Sequence, residues 1–195
     1  MRSTHEMSDF IRERLEDGTN RQYDEEPVSE LEHALQCATL AEDEGADDEL
    51  VVATLLHDFG RLVAEDGDLA DSVGNDDQTP PLHGGHGELG AEQLHEYFSE
   101  RVLFCIRNHA EAKRYLCTTE PDYFDGLSKG SVVTLEKQGG KMDDAERATF
   151  EGSSYCADAV KLRRWDDRGK IPGASARSLD HWMRKVEAQI HTPGS

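Results

Sequence analysis

The sequence is short of positive charge. Lys and Arg together number 21 against 41 Asp and Glu, so the formal net charge is −20. Nucleic acids and anionic membranes both require basic surface, and we therefore expect neither as a partner. Screening limits the reach of surface charge to about 8 Å at physiological ionic strength. A few local Lys or Arg side chains can consequently still form a pocket for an anionic small molecule.

Cysteine pairs and long apolar runs are also lacking. The four cysteines (Cys37, Cys105, Cys117 and Cys156) include no Cys-x-x-Cys pair, which favours buried thiols in a reducing compartment over disulfides or a metal site. No apolar run approaches the ~20 residues of a membrane span, and the polar start Met1–Met7 is unlike a signal peptide. We expect a cytoplasmic protein whose 195 residues form a single domain.

Apolar residues recur at helical spacing along most of the chain, whereas strand-like alternation, internal repeats and heptads are missing. Ser29 and Glu32 form a capping-box pattern, and Asp47 is placed to cap the next helix. The predicted helices are Ser8–Glu16, Ser29–Glu44, Asp47–Phe59, His86–Phe98, Glu100–Cys117, Val132–Gln138, Asp143–Glu151, Ser154–Asp167 and Ser178–Ile190. The fold class is therefore predicted to be all-α, a helical bundle. The acidic stretch 64–85, rich in Gly, Pro and Asp, indicates a lid or an inserted loop.

The stretch Leu50–Gly60 is an apolar run that ends in two polar residues and a glycine. We expect a buried helix that Gly60 ends, with His57 and Asp58 at its carboxyl end. Burying an imidazole and a carboxylate without partners costs several kcal/mol. A metal ion is the commonest solution.

Three further histidines lie where helices could direct them inward: His33, His86 and His109. Taken singly, each is more often a core histidine with an ordinary hydrogen bond than a metal ligand. Together with His57 and Asp58, on successive helices of one bundle, they indicate a metal centre. His83 competes with His86 for the same role.

This order of residues resembles the HD-domain superfamily of metal-dependent enzymes, in which the His-Asp aspartate bridges two metals. The segments Tyr23–Ala38, Lys113–Leu116, Leu135–Gly140 and Leu162–Asp166 are similar to the phosphonate-degrading HD-domain oxygenases, relatives of myo-inositol oxygenase. The match spans about 23–170, which the resemblance makes the metal core of a single HD domain. A helix at about 178–190 follows it.

The resemblance implies two iron ions in a mixed-valent Fe(II)/Fe(III) state, with O2 as co-substrate. It implies that His33, His57, Asp58 and Asp166 ligate one iron and that Asp58, His86 and His109 ligate the other. Imidazole and carboxylate ligands suit iron, and they suit manganese or zinc as well. Spacing alone leaves Asp158, Asp166 and Asp167 open as the late aspartate, and the similar segment Leu162–Asp166 favours Asp166.

An anion site is expected beside the metals. Lys113 follows His109 by four residues and Arg163 precedes Asp166 by three, so each cation shares a helix face with a predicted ligand. Ser131, placed before the predicted Val132 helix, can offer its hydroxyl and a helix N-terminus. By resemblance Lys113, Ser131 and Arg163 bind the phosphonate, and Gln138 is a further predicted substrate-binding residue. The alternative is that both cations pair with the abundant carboxylates.

Tyr23 and Glu26 distinguish the resembling subfamily from other HD enzymes. By resemblance, Tyr23 occupies an iron position until substrate and O2 displace it, and Glu26 receives the cationic amine of the substrate. Tyr23, Glu26 and Lys113 are thus the predicted catalytic residues. The alternative is that Tyr23 is a loop aromatic packed under the lid and that Glu26 is one surface acid among many.

Arg61 departs from the family, which commonly has a second histidine at this position. It can bind the phosphonate as a fixed cation. Because of this departure, the sequence leaves open the size of the substrate and the methylation of its amine. The resemblance implies O2-dependent cleavage of a zwitterionic 1-hydroxy-2-aminoethylphosphonate, or its trimethylated analogue, to phosphate and glycine or glycine betaine. The alternatives are a metal-dependent phosphohydrolase and a ligand-sensing HD module with a degenerate metal site. The oligomeric state is not indicated.

Overall fold

The computed structural model describes residues 2–64 and 85–192. The predicted lid 64–85, apart from its two end residues, and His83 lie outside the described residues. The α-helices are α1 Thr4–Asp17, α2 Glu30–Asp43, α3 Asp48–Leu55, α4 Phe59–Val63, α5 Gly85–Leu94, α6 Glu100–Thr119, α7 Lys129–Lys137, α8 Asp144–Glu151, α9 Cys156–Arg168 and α10 Leu179–Gln189. Short 3-10 turns cover Gly18–Asn20 and Phe124–Gly126. The described ranges contain no strand, only an isolated bridge between Gln22 and Ser29, so the all-α prediction is confirmed.

Helix starts follow the capping signals in the sequence. Ser29 and Glu32 form the predicted capping box of α2, and the Asp47 side chain accepts a hydrogen bond from the Leu50 amide at the start of α3. The prediction that the first helix begins at Ser8 was wrong. A second capping box, formed by Ser3 and Glu6, starts α1 at Thr4.

The long helix α6 lies at the centre of the bundle, in contact with α3, α5 and α9. Helix α2 packs against α3 and α9, while α10 packs on α1 and α3. Side chains from these helices share one apolar core, in which Leu56, Ile106, Leu162 and Trp182 are fully buried. The bundle therefore brings α2, α3, α5, α6 and α9 together around one point. In the described parts of the chain no helix is long and apolar enough to cross a membrane.

The predicted helix up to Phe59 is interrupted at its functional end. Helix α3 ends at Leu55, His57 and Asp58 lie in the break, and a new helix, α4, begins at Phe59. Gly60 therefore lies inside α4 and does not stop a helix. Its role is close approach: a Cβ atom on Gly60 would lie 1.8 Å from the backbone oxygen of His86 on α5.

Two other helix boundaries differ from the prediction by more than two residues. Helix α7 begins at Lys129, because Ser128 caps it by accepting a hydrogen bond from the Ser131 amide at 3.2 Å. Ser131 consequently lies in the first turn of α7 and not before it. Helix α5 ends at Leu94, where a turn closes with a hydrogen bond from the Tyr97 amide to the Leu94 oxygen.

Candidate functional site

The carboxylate of Asp58 lies between two pairs of histidines. Its Oδ2 atom is 3.2 Å from Nε2 of His57 and 3.8 Å from Nε2 of His33. Its Oδ1 atom is 3.1 Å from Nε2 of His86 and 3.5 Å from Nε2 of His109. Each oxygen thus faces a different pair, which is the arrangement required for one carboxylate to bridge two cations.

Within each pair the imidazole nitrogens approach closely. The Nε2 atoms of His33 and His57 are 3.2 Å apart, and those of His86 and His109 are 2.9 Å apart. Two protonated nitrogens cannot meet at this distance, and two lone pairs repel unless a proton or a cation lies between them. The four histidines come from different elements: His33 from α2, His57 from the α3–α4 break, His86 from α5 and His109 from α6.

Backbone carbonyls orient three of the four rings. Nδ1 of His33 bonds the Gly169 oxygen, Nδ1 of His57 bonds the Thr54 oxygen and Nδ1 of His109 bonds the Ile106 oxygen, at 2.8, 2.8 and 2.7 Å. A hydrogen bond from Nδ1–H leaves the lone pair on Nε2, the atom that faces Asp58. Metal-binding histidines are held in this way.

Asp166 completes the His33–His57 side. Its Oδ1 atom is 3.4 Å from Nε2 of His33, and its Oδ2 atom forms an ion pair with Nη1 of Arg163 at 2.7 Å. The other two aspartates that the sequence left open are engaged elsewhere: Asp158 pairs with Arg101, and Asp167 pairs with Arg163. Of the three, the structure brings Asp166 to the histidines.

Within the histidine cluster, two buried carboxylate oxygens lack hydrogen-bond partners among the described residues, Oδ2 of Asp58 and Oδ1 of Asp166. Both face the His33–His57 pair, where a cation would satisfy them. The donor set is imidazole nitrogen and carboxylate oxygen, which suits iron, manganese or zinc. The thiol of Cys37 lies 3.7 Å from the His33 ring, but burial raises its pKa well above the usual value, so it remains a neutral thiol.

The electrostatics of the cluster favour cations. Burial alone would raise the pKa of Asp58, yet the surrounding histidines, His57 foremost, hold it well below the usual value. Burial lowers the pKa of His57, but Asp58 and Asp166 outweigh burial and raise it to about 9. Burial lowers the pKa of His109 to about 4. A metal ion entering the His57 side therefore displaces a proton.

Three cationic side chains converge on Ser131, next to the histidine cluster. Lys113 Nζ donates to Thr134 Oγ1 at 2.7 Å and lies 3.4 Å from the Ser131 carbonyl oxygen. Ser131 Oγ is 3.4 Å from Arg163 Nη2 and 3.1 Å from Lys170 Nζ. Lys113 and Arg163 are buried. Burial, helped by the nearby Arg163, lowers the pKa of Lys113 to about 7.

Lys170 is the site residue that sequence reasoning missed. Its Nζ atom is 3.8 Å from Asp166 Oδ1 and 3.9 Å from Glu26 Oε1. The signal was present, because Lys170 follows Asp166 by four residues, the same spacing that separates Lys113 from His109. Helix α9 ends at Arg168, so Lys170 lies outside the helix, and its helical spacing from Asp166 was not recognised.

A cavity of about 30 Å³ joins the histidine cluster to the cations. Its walls are formed by residues of both groups and of the loop before α2, among them Tyr23, Glu26, Asp58, His86, Lys113, Ser131, Gln138, Arg163, Asp166 and Lys170. Gln138 lies at the end of α7, as its C-cap. A water molecule needs about 10–15 Å³ of such space. The cavity is therefore suited to a compact ligand.

The turn between Gln22 and Ser29 places Tyr23 and Glu26 at this cavity. The Tyr23 ring stacks on the His33 ring with their centres 3.9 Å apart. Burial, and then the charges of Asp166 and Asp58, raise the pKa of Tyr23 well above its usual value. Oε1 of Glu26 is buried and has no hydrogen-bond partner among the described residues.

Arg61 also borders the cavity, but its guanidinium is engaged by acidic residues. It pairs with Asp24 at 2.6 Å and with Glu30 at 3.1 Å. Burial raises the pKa of Glu30 to about 7, although the neighbouring Arg61 opposes that rise. Among the predicted phosphonate-binding residues, Arg61 is thus placed apart from the Ser131 cluster.

Comparisons with known proteins identify the family of this chain. The HD-domain family matches residues 31–147, a stretch that carries His33, His57, Asp58, His86 and His109. This chain belongs to the HD-domain family. Asp166, Arg163 and Lys170 lie beyond the matched stretch. The first two belong to α9, and Lys170 follows that helix.

Among the relatives of this HD-domain protein are two phosphonate dioxygenases. The hydroxymethylphosphonate dioxygenase of Gimesia maris is 40% identical over 176 residues, which cover 90% of this chain and 84% of that protein. The glycine-betaine-forming 1-hydroxy-2-(trimethylamino)ethylphosphonate dioxygenase of Leisingera caerulea is 39% identical over 163 residues, 84% of this chain and 79% of that protein. An uncharacterised protein of Acanthamoeba polyphaga mimivirus is 32% identical over 160 residues, 80% of this chain and 69% of that protein.

These relatives confirm the resemblance to the phosphonate-degrading HD-domain oxygenases that the sequence motifs predicted. They also confirm the predicted enzyme class, an oxygenase. The two His–Asp groups, His33–His57–Asp58 and Asp58–His86–His109, are each compact enough to hold a metal ion.

Proposed function

We propose that this protein cleaves the C–P bond of a 1-hydroxy-2-aminoethylphosphonate by an O2-dependent reaction that releases phosphate and glycine. The observation that carries the proposal is the division of Asp58 between two histidine pairs, directly beside the three cations at Ser131. A dinuclear metal centre next to an anion pocket suits a phosphonate whose C1 hydroxyl points to the metals.

The proposed metals are two iron ions in the mixed-valent Fe(II)/Fe(III) state. His33, His57, Asp58 and Asp166 would hold one of them, and Asp58, His86 and His109 would hold the other. Two carboxylate oxygens without partners, on Asp58 and Asp166, support this assignment. When bound, the irons supply the capacity to activate O2, which carboxylate and imidazole side chains lack.

The remaining side chains bind and orient the substrate. Lys113, Arg163 and Lys170 supply positive charge for the phosphonate, and Arg163 is at the same time held in place by Asp166 and Asp167. Ser131 and Gln138 add polar contacts from α7. Fixing the phosphonate in this way holds C1 at the metal end of the cavity, so that orientation and electrostatics are supplied by the protein. Tyr23, stacked on His33, covers the metal side and leaves when the substrate enters.

Glu26 is the proposed partner of the substrate amine. Its buried Oε1 atom without a hydrogen bond calls for an N–H donor, which a primary ammonium has and a trimethylammonium lacks. The trimethylated substrate, with glycine betaine as product, and hydroxymethylphosphonate are the candidates that the two relatives suggest.

The overall reaction is balanced with one O2 for each substrate. The C–P bond breaks, C1 is oxidised from the alcohol to the carboxylate of glycine, and O2 is reduced. Its two oxygen atoms are accounted for by the additional oxygen of the carboxylate and of the phosphate. No further reductant is required.

The rival function is an HD-domain phosphohydrolase acting on a small phosphate ester with water. We expect the iron-loaded protein to release phosphate from 1-hydroxy-2-aminoethylphosphonate in air and not under argon. Phosphate release of equal rate under both gases would contradict the oxygenase. A phosphate monoester of similar size, assayed in parallel, is expected to be inert, and its turnover under argon would favour the rival.

Other expectations from the sequence stay predictions. They are a single HD domain with its metal core at about 23–170, a cytoplasmic location, and the absence of nucleic-acid and membrane partners.

A further inference from the structure

Arg61 follows Asp58 by three residues, in helix α4, and its guanidinium binds two carboxylates. Nη2 and Nη1 contact the two oxygens of Asp24 at 2.6 and 3.3 Å, and Nε contacts Glu30 Oε1 at 3.1 Å. The contact with Asp24 is a two-pronged one, the strongest geometry available to an arginine. Arg61 therefore connects the helix that follows Asp58 to the loop before α2 and to the first turn of α2 itself.

Asp24 has a backbone conformation that side-chain-bearing residues rarely adopt. Its φ angle is +47°, and among the described non-glycine residues it is the one with positive φ. The turn around it is tight: the Tyr23 amide bonds the Val28 oxygen at 3.0 Å, and the Glu26 amide bonds the Tyr23 oxygen at 2.9 Å. Such conformations persist only where surrounding contacts hold them.

The same turn carries the two residues that the proposed function assigns to the substrate, Tyr23 and Glu26. The guanidinium carbon of Arg61 lies 4.9 Å from the centre of the Tyr23 ring. A second arginine, Arg21, donates to the backbone oxygen of Arg61 at 2.7 Å. The Arg61 side chain thus binds the turn, and the Arg21 side chain, just before the turn, binds the backbone of α4.

We propose that Arg61 is a positioning residue: its ion pair with Asp24 holds the strained turn so that Glu26 reaches the cavity and Tyr23 stacks on His33. Arg61 thereby affects, through the turn, which substrates are accepted. The part of this inference that concerns substrate choice rests on the proposed function, since it takes Glu26 to be the partner of the amine.

Asp24→Asn tests the ion pair without disturbing the backbone. Asparagine tolerates positive φ at least as well as aspartate, so the substitution removes the charge and keeps the conformational preference. The Asp24 side chain is 35% exposed, which makes the variant compatible with folding. Arg61→Lys removes the fork and keeps the charge. The matched control is Asp180→Asn, which breaks the comparable 2.8 Å pair between Arg12 and Asp180 far from the cavity.

The first measurement is amide hydrogen exchange in metal-free protein. We expect the amides of the turn 23–28 to exchange about tenfold faster in Asp24→Asn, because local opening no longer breaks a charge-assisted contact. Arg61→Lys is expected to have a similar effect, and the double variant no larger one. In both turn variants the amides of α6 should exchange at the wild-type rate. In Asp180→Asn the amides of the turn should do so as well. Unchanged exchange in the turn, or equal acceleration throughout the chain, would overturn the proposal.

The second measurement is substrate discrimination in iron-loaded protein. In Asp24→Asn we expect kcat/KM for 1-hydroxy-2-aminoethylphosphonate to fall about tenfold more than kcat/KM for hydroxymethylphosphonate, which has no amine for Glu26 to bind. An equal fall for both would indicate a merely structural ion pair and would overturn the role in specificity. If the wild type turns over neither compound, the proposed function fails, and the exchange experiment still decides whether Arg61 holds the turn.

Discussion

Replacing Gly60 with alanine adds one methyl group at the tightest helix contact of the metal core. The new Cβ would lie 1.8 Å from the His86 oxygen, whereas ordinary van der Waals contact begins at 3.4 Å, so α4 and α5 must separate by about 1.6 Å. The obstructing atoms are backbone and cannot rotate aside. Because His86 also faces Oδ1 of Asp58 at 3.1 Å, the same shift removes it from the metal cluster.

We expect Gly60→Ala to lower the free energy of unfolding by about 3 kcal/mol or more, at the upper end of overpacking effects. For a chain of this length that is a fall in Tm of about 6–12 °C. The assay is thermal unfolding of the metal-free protein, followed by iron analysis after reconstitution, where we expect loss of the iron on the His86 side.

Gly126→Ala is the matched control for this substitution. A Cβ at Gly126 meets nothing within 4 Å, so we expect a change of less than about 0.5 kcal/mol. If Gly60→Ala and Gly126→Ala unfold at the same temperature, the close approach of α4 and α5 is refuted as the reason for the glycine.

Three further outcomes follow from the site. Saturating iron at a hundredfold excess over its Kd is expected to stabilise the apo protein by about 3 kcal/mol, and a Tm that does not respond to iron would contradict the metal assignment. The charge of Lys113 is lost as the pH rises through about 7, so binding of methylphosphonate is expected to weaken over that range in the wild type and not in Lys113→Arg, measured by calorimetry at each pH. Glu26→Gln is expected to lower kcat/KM for the aminated phosphonate about tenfold and to leave that for hydroxymethylphosphonate within a factor of two, because only the former bears an ammonium; an equal loss would exclude Glu26 as the amine partner.

Local signals in the sequence were sufficient for most of the fold. Capping residues such as Ser29 and Asp47 act on amides within three residues, so the starts of α2 and α3 could be located from the sequence. The paired glycines Gly139 and Gly140 end α7 with positive φ, as their position after Gln138 indicated. The candidate ligands could be named because their order along the chain carries the family resemblance.

Interactions between distant segments account for what the sequence did not reveal. The break at His57 and Asp58 contains no proline, and the glycine beside it serves contact with α5, so nothing local marks the end of α3. Arg61 finds its partners 37 and 31 residues away, at Asp24 and Glu30, and its helix alone gives no sign of them. Lys170 lies past the end of α9, and its contact with Ser131 joins residues 39 positions apart.

O2-dependent cleavage of the C–P bond is tested most directly by the amount of O2 consumed for each phosphate released. It is measured in a sealed cell with an oxygen electrode and a phosphate assay on the same iron-loaded sample, with 1-hydroxy-2-aminoethylphosphonate as substrate and Asp58→Ala as the inactive control. We expect a ratio of about one, set by the balanced cleavage of a C–P bond by O2. Phosphate release without O2 consumption would contradict it.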